Sequence, residues 1–458
     1  MIGYSLGFVA QGSTYNFMSA YFVLFMTDCV GTSSTMATSI TSIALFVEVI
    51  AGMLAGDISD SCMSAMGRRR PFILLSSLLM PIIMFMIMSK ITASNVTIFI
   101  YYLILSILFR ICFASSEITN GAFGAEIATG YDERTKLRTM TRVFSIIGNA
   151  IGYIIPLIIL QIFFDNETGG WKCTGLILGC VSFISWFGEF KLTKKYDSSP
   201  LQKSKKANLF SSIYKNYKEL CKLKPMKYLI VYKAMFTCAY ALFGVATIYY
   251  LKYCLGLDSK YSAYIYAVTI LVYMISTPIV ERIALKLGKA SQQTGAMAIC
   301  ALTGVVIFCF GRQSLICGII YITVFSILQT SFWQVSSSIF YDMAEVDEFI
   351  NNKRREGNIM SFISILGTVV SAIVIQLFGL MLDYYGYNPS LAVQTDVTVN
   401  FIKYVFILIP SICVAIGAVA LKLFPISKEK FNILLEALES RKNGENCDKY
   451  IHKLDKIV

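Results

Sequence analysis

An all-α membrane protein with twelve spanning helices is the fold class the sequence predicts, and three observations predict it. Of 458 residues, 56% are hydrophobic and only 15% are charged, with a mean hydropathy of +0.64; a soluble chain carries roughly 25% charged residues. Twelve segments are long and apolar enough to supply the roughly 20 residues that cross a bilayer as a helix. The basic residues between those segments alternate by side.

The twelve segments lie at about 3–28, 35–57, 71–90, 96–126, 140–164, 171–192, 226–251, 260–285, 291–311, 314–342, 357–384 and 400–424. Several exceed 25 residues, which implies tilt or cytoplasmic overhang. Arg68, Arg69 and Arg70 follow span 2; Arg134, Lys136 and Arg138 follow span 4. The stretch Thr193–Lys224 after span 6 holds nine lysines against Asp197 and Glu219. Arg282, Lys286 and Lys289 follow span 8, and Lys353, Arg354 and Arg355 follow span 10. Loops after odd-numbered spans are short or nearly free of Lys and Arg. The positive-inside bias therefore predicts cytoplasmic even loops and cytoplasmic termini, with the plasma membrane as the expected location.

The same sorting accounts for the net charge of +12. The lysines face lipid headgroups and the inner surface, so the bilayer and not a nucleic acid is the expected partner. No cleavable signal peptide is expected, because Ile2 enters an apolar segment without a basic n-region. The 13 cysteines are scattered without a C-x-x-C pair and imply neither a disulfide framework nor a zinc site. The single histidine, His452, is near the C-terminus. With no histidine, metal-ligand cluster or nucleophile–base pair inside the spans, the chain is not expected to be an enzyme or to hold a cofactor or metal.

The basic stretch 193–224 divides the chain into two sets of six spans, 1–192 and 225–424, followed by a cytoplasmic tail, 425–458. The halves carry a faint repeat. Span 2 exits into "GDISDSCMSAMGRRRPF" and span 8 into "PIVERIALKLGKASQ", each with an acid near the helix end, a glycine further on, then a cation. Two pseudo-symmetric six-helix bundles joined by a cytoplasmic linker are the plan of the major facilitator fold, in which two halves rock around a solute near mid-membrane. The tail stretch "KEKFNILLEALESRK" has apolar residues at helical spacing. It predicts a short amphipathic helix along the inner surface, with a solvated tail as the alternative.

The loop after span 2 carries more than sidedness. Gly56 and Asp60 stand four apart at a helix end, Gly67 permits a tight turn, and Pro71 suits the first helical position of span 3. Anchoring alone needs the arginines but neither the acids nor the spacing. A gate is the sharper expectation: Asp60 and Arg68, Arg69 and Arg70 pair with one another and with the other half when the cytoplasmic face closes. Exposed pairs of this kind contribute about 1 kcal/mol or less, which suits a carrier whose two states lie close in energy.

Four stretches resemble the glycoside–pentoside–hexuronide:cation symporters, the family of the melibiose permeases and sucrose carriers. "SDSCMSAMGRRRPFI" is similar to that family's loop after span 2. "AEIATGYDERTKLRTMTRVFSIIGNAIG" (125–152) resembles its P-E-x-T…D-x-x-R-T…R-x-x-F signature, with Ala125 in place of the proline. "FYDMAEVDEFINNKRREG" (340–357) resembles its A-D-x-x-D-x-x-E…R-R-E-G segment, and "TDCVG" (27–31) its T-D-x-x-G. Together they fall within residues 1–390. The resemblance implies a monomeric twelve-helix carrier that moves a solute, often a sugar, with a cation. It also brings Asp132, Arg134, Asp342 and Arg355 into the gating set.

Ionisable groups inside a span cost about 2.5–3.5 kcal/mol on insertion scales, so each needs a partner or a task. Glu48 lies in span 2 within "ALFVEVIAGMLAG". It is expected either to carry the coupled proton or to bond a neighbouring helix. The resemblance places it on the first of two acids one turn apart in cation-coupled relatives; the second position is Gly52, which argues against sodium and leaves a proton. Arg110 and Glu117 share one face of span 4, two turns apart, and Arg142 begins span 5; all three, with Trp333 and Asn16, are expected to bind the solute. The resemblance puts Glu117 and Arg142 on substrate-binding positions, where carboxylate and guanidinium suit sugar hydroxyls; an internal salt bridge is the structural alternative. Trp333 of span 10 aligns with a cavity tryptophan, and packing between helices is its alternative. Asn16, Gln334, Ser336 and Ser337 add possible hydrogen bonds.

The departures are equally informative. The family's span 1 substrate acid falls on Gly12, its second cavity tryptophan on Gly121 and its span 11 lysine on Thr368, so a copied galactoside site is not expected. The leading expectation is a secondary transporter of a sugar or sugar-like polar solute, proton-coupled and working by alternating access, with Glu48, Glu117 and Arg142 facing a shared aqueous pocket. The alternatives are an amphipathic-solute carrier of lysolipid type, and a transport-inactive membrane sensor or scaffold.

Overall fold

The computed structural model describes residues 1–60, 62, 64, 66–127, 131–163, 166–194, 217–257, 259–310, 314–351, 355–389, 391, 393–426 and 428–442. The side chains of Asp60, Asp132 and Arg134, all assigned to gating from the sequence, lie outside the described residues.

Among the described residues every regular element is a helix. Eleven helices are long and apolar enough to cross a membrane. They begin with span 2 (Ser34–Asp60), span 3 (Arg70–Ile87), span 4 (Asn95–Ile127), span 5 (Tyr131–Ile162) and span 6 (Glu167–Leu192). Span 7 (Lys224–Tyr249), span 8 (Ser259–Leu287), span 9 (Lys289–Phe310), span 10 (Leu315–Asn351) and span 11 (Glu356–Tyr384) follow. Span 12 is built from Asp396–Lys403, Tyr404–Leu408 and Ile409–Lys422. Span 1 is the twelfth crossing, made of Ile2–Ser5, Gly7–Leu24 and Phe25–Val30 in succession. Its Gln11, Ser13, Thr14 and Asn16 hold its hydropathy below that of the other eleven.

Helix boundaries follow local chemistry. Pro71 sits in the first turn of span 3, where its missing N–H costs nothing. Asn166 caps span 6, its side-chain oxygen accepting from Gly169 N at 3.0 Å. Gly67 and Gly288 take positive φ (98° and 89°) in the turns before spans 3 and 9. Spans 5 and 10 run nine residues beyond their apolar segments, to Tyr131 and Asn351. Hydropathy marks only the lipid-facing length, while the charged stretches 131–139 and 343–351 continue the same helices.

Three spans contain a wider, π-helical turn: span 1 at Phe25–Val30, span 7 at Tyr250–Cys254 and span 12 at Tyr404–Leu408. Such turns concentrate at functional sites. The first ends on Gly31, whose φ of 87° stops the helix.

The chain divides into two compact units. The first is Met1–Lys205 with Gly244–Ile270 and Ala372–Ile402; the second is Lys206–Phe243, Leu271–Ser371 and Lys403–Val458. The first unit therefore holds spans 1–6 together with one end of spans 7, 8, 11 and 12.

Within the first unit, small residues let spans 1 and 5 approach closely. A Cβ on Gly152 would run into the Ser13 carbonyl, and one on Gly148 would lie 3.0 Å from Val9 Cα. The same contact explains a departure from the family pattern: a side chain at Gly12 would meet Asn149 Oδ1 at 2.7 Å and the Ser145 carbonyl at 2.8 Å. An acid has no room there.

In the second unit, the tail helix Lys428–Lys442 buries Leu434, Ala437 and Leu438. Arg441 Nη1 donates to the Phe349 carbonyl at 3.0 Å, and its guanidinium lies over the Phe349 ring. The tail's apolar stripe is thus partly used against the end of span 10.

Candidate functional site

The first unit gathers most of the residues singled out in the sequence. Arg110 Nη1 on span 4 donates to Glu48 Oε2 on span 2 at 2.7 Å, with side-chain exposures of 5% and 13%. The Arg110 guanidinium also lies 5.4 Å from the Tyr15 ring of span 1, and that ring packs on Phe113. Arg110 thus ties spans 1, 2 and 4 together, and its ion-pair partner is Glu48, not the Glu117 of its own helix face. Glu48 is thus bonded to a neighbouring helix, the structural one of its two expectations.

Glu117 is exposed and has no hydrogen bond or ion pair among the described residues. One turn further on, Gly121 is also exposed, and a Cβ there would meet nothing within 4 Å. This stretch of span 4 offers a carboxylate without a partner among the described residues beside open space. Arg142 on span 5 is half-buried and engaged in an interaction of its own.

Asn16 uses both of its donors. Its Nδ2 donates to the Gly12 carbonyl at 2.9 Å and to Asn149 Oδ1 at 2.7 Å, and its Oδ1 accepts from Tyr153 OH at 3.0 Å. Tyr153 stacks on Tyr266 with centroids 4.9 Å apart and rings 6° from parallel. Only the second lone pair of Oδ1 is left to accept from a solute.

Trp333 belongs to the second unit. It is 48% exposed, and its ring meets Tyr240 and Phe332 edge-on at 5.9 and 5.5 Å. Ser336 is buried, and Gln334 Oε1 is buried without a partner. Lys233 of span 7, which sequence reading passed over, lies beside this cluster with Nζ 5.0 Å from the Phe332 ring and 5.5 Å from the Trp333 ring. Ten residues into a helix that opens on Lys224, it reads in sequence as one more anchoring lysine.

Arg69, Arg70, Asp342 and Arg355 of the gating set each make contacts within their own unit. Arg69 Nη1 donates to Ser59 Oγ at 2.5 Å. Arg70 is buried against Phe190, donating through Nε and Nη2 to its carbonyl at 3.2 and 2.8 Å. Arg68 is half-buried and engaged. In the second unit Lys289 Nζ donates to Asp342 at 2.9 Å, and Arg355 reaches Asp347 at 2.7 Å and Glu219 at 2.6 Å. Two of the three arginines therefore act as internal ties at a helix end, which the loop sequence alone does not reveal.

Two further sites carried only faint sequence signals. Asp28, in the quoted "TDCVG", accepts from Lys252 Nζ at 2.5 Å, Tyr253 OH at 2.8 Å, Tyr387 OH at 2.5 Å and Thr27 Oγ1 at 2.8 Å. Tyr249 OH reaches Thr27 Oγ1 at 3.1 Å, and the Tyr253 and Tyr387 hydroxyls lie 3.0 Å apart. Burial, with the Tyr249 hydroxyl and the Asp28 carboxylate nearby, pushes the Tyr387 hydroxyl upward and keeps it a donor. Close by, Asp383 Oδ1 and Oδ2 accept from Ser34 N at 2.8 Å and Thr35 N at 2.6 Å, capping span 2. This clasp links residues of the first half to the ends of spans 7 and 11. The second site is Glu189 of span 6, wholly buried. Its Oε2 accepts from Asn120 Nδ2 at 3.2 Å, while its Oε1 has no partner.

Residues 3–428 match the family described as MFS/sugar transport protein, so the chain belongs to that family of membrane transporters. It is 23% identical to the isoprimeverose transporter of Lactiplantibacillus pentosus, covering 97% of this chain and 92% of that one. It is 22% identical to an inner membrane symporter of Escherichia coli (strain K12), covering 96% and 95%. A crystal structure of a D-xylose-proton symporter superposes with a TM-score of 0.65 at 15% identity, covering 94% of this chain and 98% of that one, and so shares the major facilitator fold. The chain is an integral multi-pass membrane transporter and not an enzyme.

Proposed function

We propose that this chain carries a sugar or sugar-like polar solute across the plasma membrane as a monomer, coupled to a proton, with both termini in the cytoplasm. The observation that carries the reading is the Glu48–Arg110 ion pair at 2.7 Å inside spans 2 and 4. Protonation of Glu48 leaves an uncompensated guanidinium in the membrane, which costs about 3–5 kcal/mol for a buried pair broken on one side. In this reading the proton and the solute are linked through what answers Arg110.

Glu117 is the solute carboxylate in this reading: exposed, free, and next to the space left by Gly121. Arg142, Trp333 and Asn16 complete the expected binding set. The isoprimeverose and D-xylose named for similar proteins are sugars, which supports the solute class. The positive-inside pattern puts the Asp28 clasp on the outer side, as the outer gate in its closed form, and puts Asp60, Arg68, Arg69, Arg70, Asp132, Arg134, Asp342 and Arg355 on the cytoplasmic side.

Counterflow of labelled sugars in proteoliposomes, with and without a pH gradient, tests this. Glu48→Gln keeps a hydrogen-bond acceptor for Arg110 but cannot release a proton. It is expected to retain exchange and lose gradient-driven accumulation. Accumulation by the variant at the wild-type level removes Glu48 from the coupling role.

A further inference from the structure

We propose that Glu189 of span 6 and Asn120 of span 4 hold a proton between them, as a carboxylic acid–amide pair that fastens the two helices together against span 1. This protonation site is separate from Glu48, and it depends neither on the solute nor on the coupling proposed above.

Both side chains are fully buried, at 0% exposure. One bond joins them: Asn120 Nδ2 donates to Glu189 Oε2 at 3.2 Å. The other oxygen of each, Glu189 Oε1 and Asn120 Oδ1, is buried without a partner among the described residues. An ionised carboxylate only accepts, and so does an amide oxygen. With Glu189 ionised, neither residue can serve the other's second oxygen. One proton on Oε1 changes that, because a protonated carboxyl donates through its O–H. Asn120 Nδ2 then donates to one oxygen of Glu189 while Glu189 Oε1 donates to Asn120 Oδ1, so a single proton answers two orphaned atoms.

The surroundings supply no counter-charge. On span 1 the Gly7 backbone closes the site: a Cβ there would run into Glu189 Oε2 and lie 3.1 Å from Asn120 Nδ2. Tyr4 of the same span donates its hydroxyl to the Asn120 carbonyl at 2.7 Å, not to the carboxyl. At the start of span 3, Arg69 donates to Ser59 and Arg70 to the Met66 and Phe190 carbonyls. Arg68 and Arg142 each have an interaction of their own, and Lys191 of span 6 is exposed with Nζ 4.7 Å from the Phe187 ring. The charged side chains at 131–139 of span 5 lie outside the described residues. No described cation forms an ion pair with Glu189. A carboxyl that is dry and without a counter-ion is more stable as the neutral acid. Asn120 comes three residues after Glu117 and directly before Gly121. The proton therefore holds in place the stretch of span 4 that carries both.

Infrared difference spectra of the purified protein in lipid, wild type minus Glu189→Gln, test this at neutral pH. A solvated glutamate releases its proton at about pH 4.3. A carboxylic-acid C=O band at neutral pH that shifts in deuterium oxide and is missing from the variant is therefore the expected mark of a held proton. Asn120→Leu should displace or remove that band. Stability gives a second readout. Glu189→Gln keeps a donor for Asn120 Oδ1 and an acceptor for Nδ2, so it should fold. In wild type the native state binds one more proton than the unfolded state, so this contribution is fully present below about pH 4.3 and is lost as pH rises. Measured against Glu189→Gln, the wild-type unfolding equilibrium constant should grow by up to about tenfold per pH unit until the native proton is released. A buried carboxylate without a proton gives neither the band nor the slope. Identical carboxylic-acid bands in the two proteins, or parallel curves of stability against pH, overturn the proposal. A band that Asn120→Leu leaves unmoved overturns the pairing with Asn120.

Discussion

Spans 4 and 7 each carry a basic side chain deep in an apolar helix, and the protein treats the two in opposite ways. Arg110 is met by a carboxylate at 2.7 Å, while Lys233 is given only aromatic rings and a glycine's worth of space. A charge paired within the protein has its partner fixed by the fold, while Lys233 has no counter-ion among the described residues. Composition counts both simply as cations in a membrane.

The largest expected effect comes from breaking the answered charge. Arg110→Met strands Glu48 and should cost about 3–5 kcal/mol of stability. Adding Glu48→Leu should return most of that, because two apolar groups replace the pair together. Denaturant titration of the four variants in detergent, read as a double-mutant cycle, measures the coupling. A cost below about 1 kcal/mol for the single change would mean the pair behaves like a surface one.

An intermediate effect is expected at the clasp, which is also an answered charge but lies at the end of the spans. Asp28→Asn removes the charge from the bonds to Lys252, Tyr253 and Tyr387 and should weaken the closed form by about 1.5–3 kcal/mol. Cys29 is buried beside it. Its alkylation by a thiol reagent, read by peptide mass spectrometry, should accelerate tenfold or more. An unchanged rate would show that the apolar packing of Tyr249, Tyr253 and Tyr387 closes that end unaided.

The smallest effect sharpens the comparison most. Lys233→Met breaks no ion pair, so its stability should stay within about 1 kcal/mol of wild type, the lost cation–π contact being offset by relief of a buried charge. A loss of several kcal/mol would place Lys233 among the structural ties and erase its difference from Arg110.

Much of the architecture was legible in the sequence, because a bilayer tolerates few backbone solutions and lipid contact writes hydropathy directly into the chain. Loop charges and apolar lengths located all twelve spans. The helix ends were less legible: spans 5 and 10 run on through charged residues that no hydropathy window includes. At the site, Glu48, Arg110 and Glu117 stood out because acids and arginines are rare in such segments. Their pairing did not, since Arg110 sits 62 positions from Glu48 and seven from Glu117. Lys233 and Asp28 were hidden for a different reason. A lysine near a helix start reads as an anchor until folding brings span 10 beside it, and an aspartate near a helix end reads as a terminus until the ends of spans 7 and 11 meet it.

The wide turns at Phe25–Val30 and Tyr250–Cys254 close spans 1 and 7. Asp28 projects from one, and Lys252 and Tyr253 from the other. Each residue advances a helix by about 100° of rotation, so shedding a single position from either coil would swing its side chains to another quadrant. The meeting of Asp28 with Lys252 and Tyr253 is therefore a matter of counting: two widened turns in step, with spelling second to length.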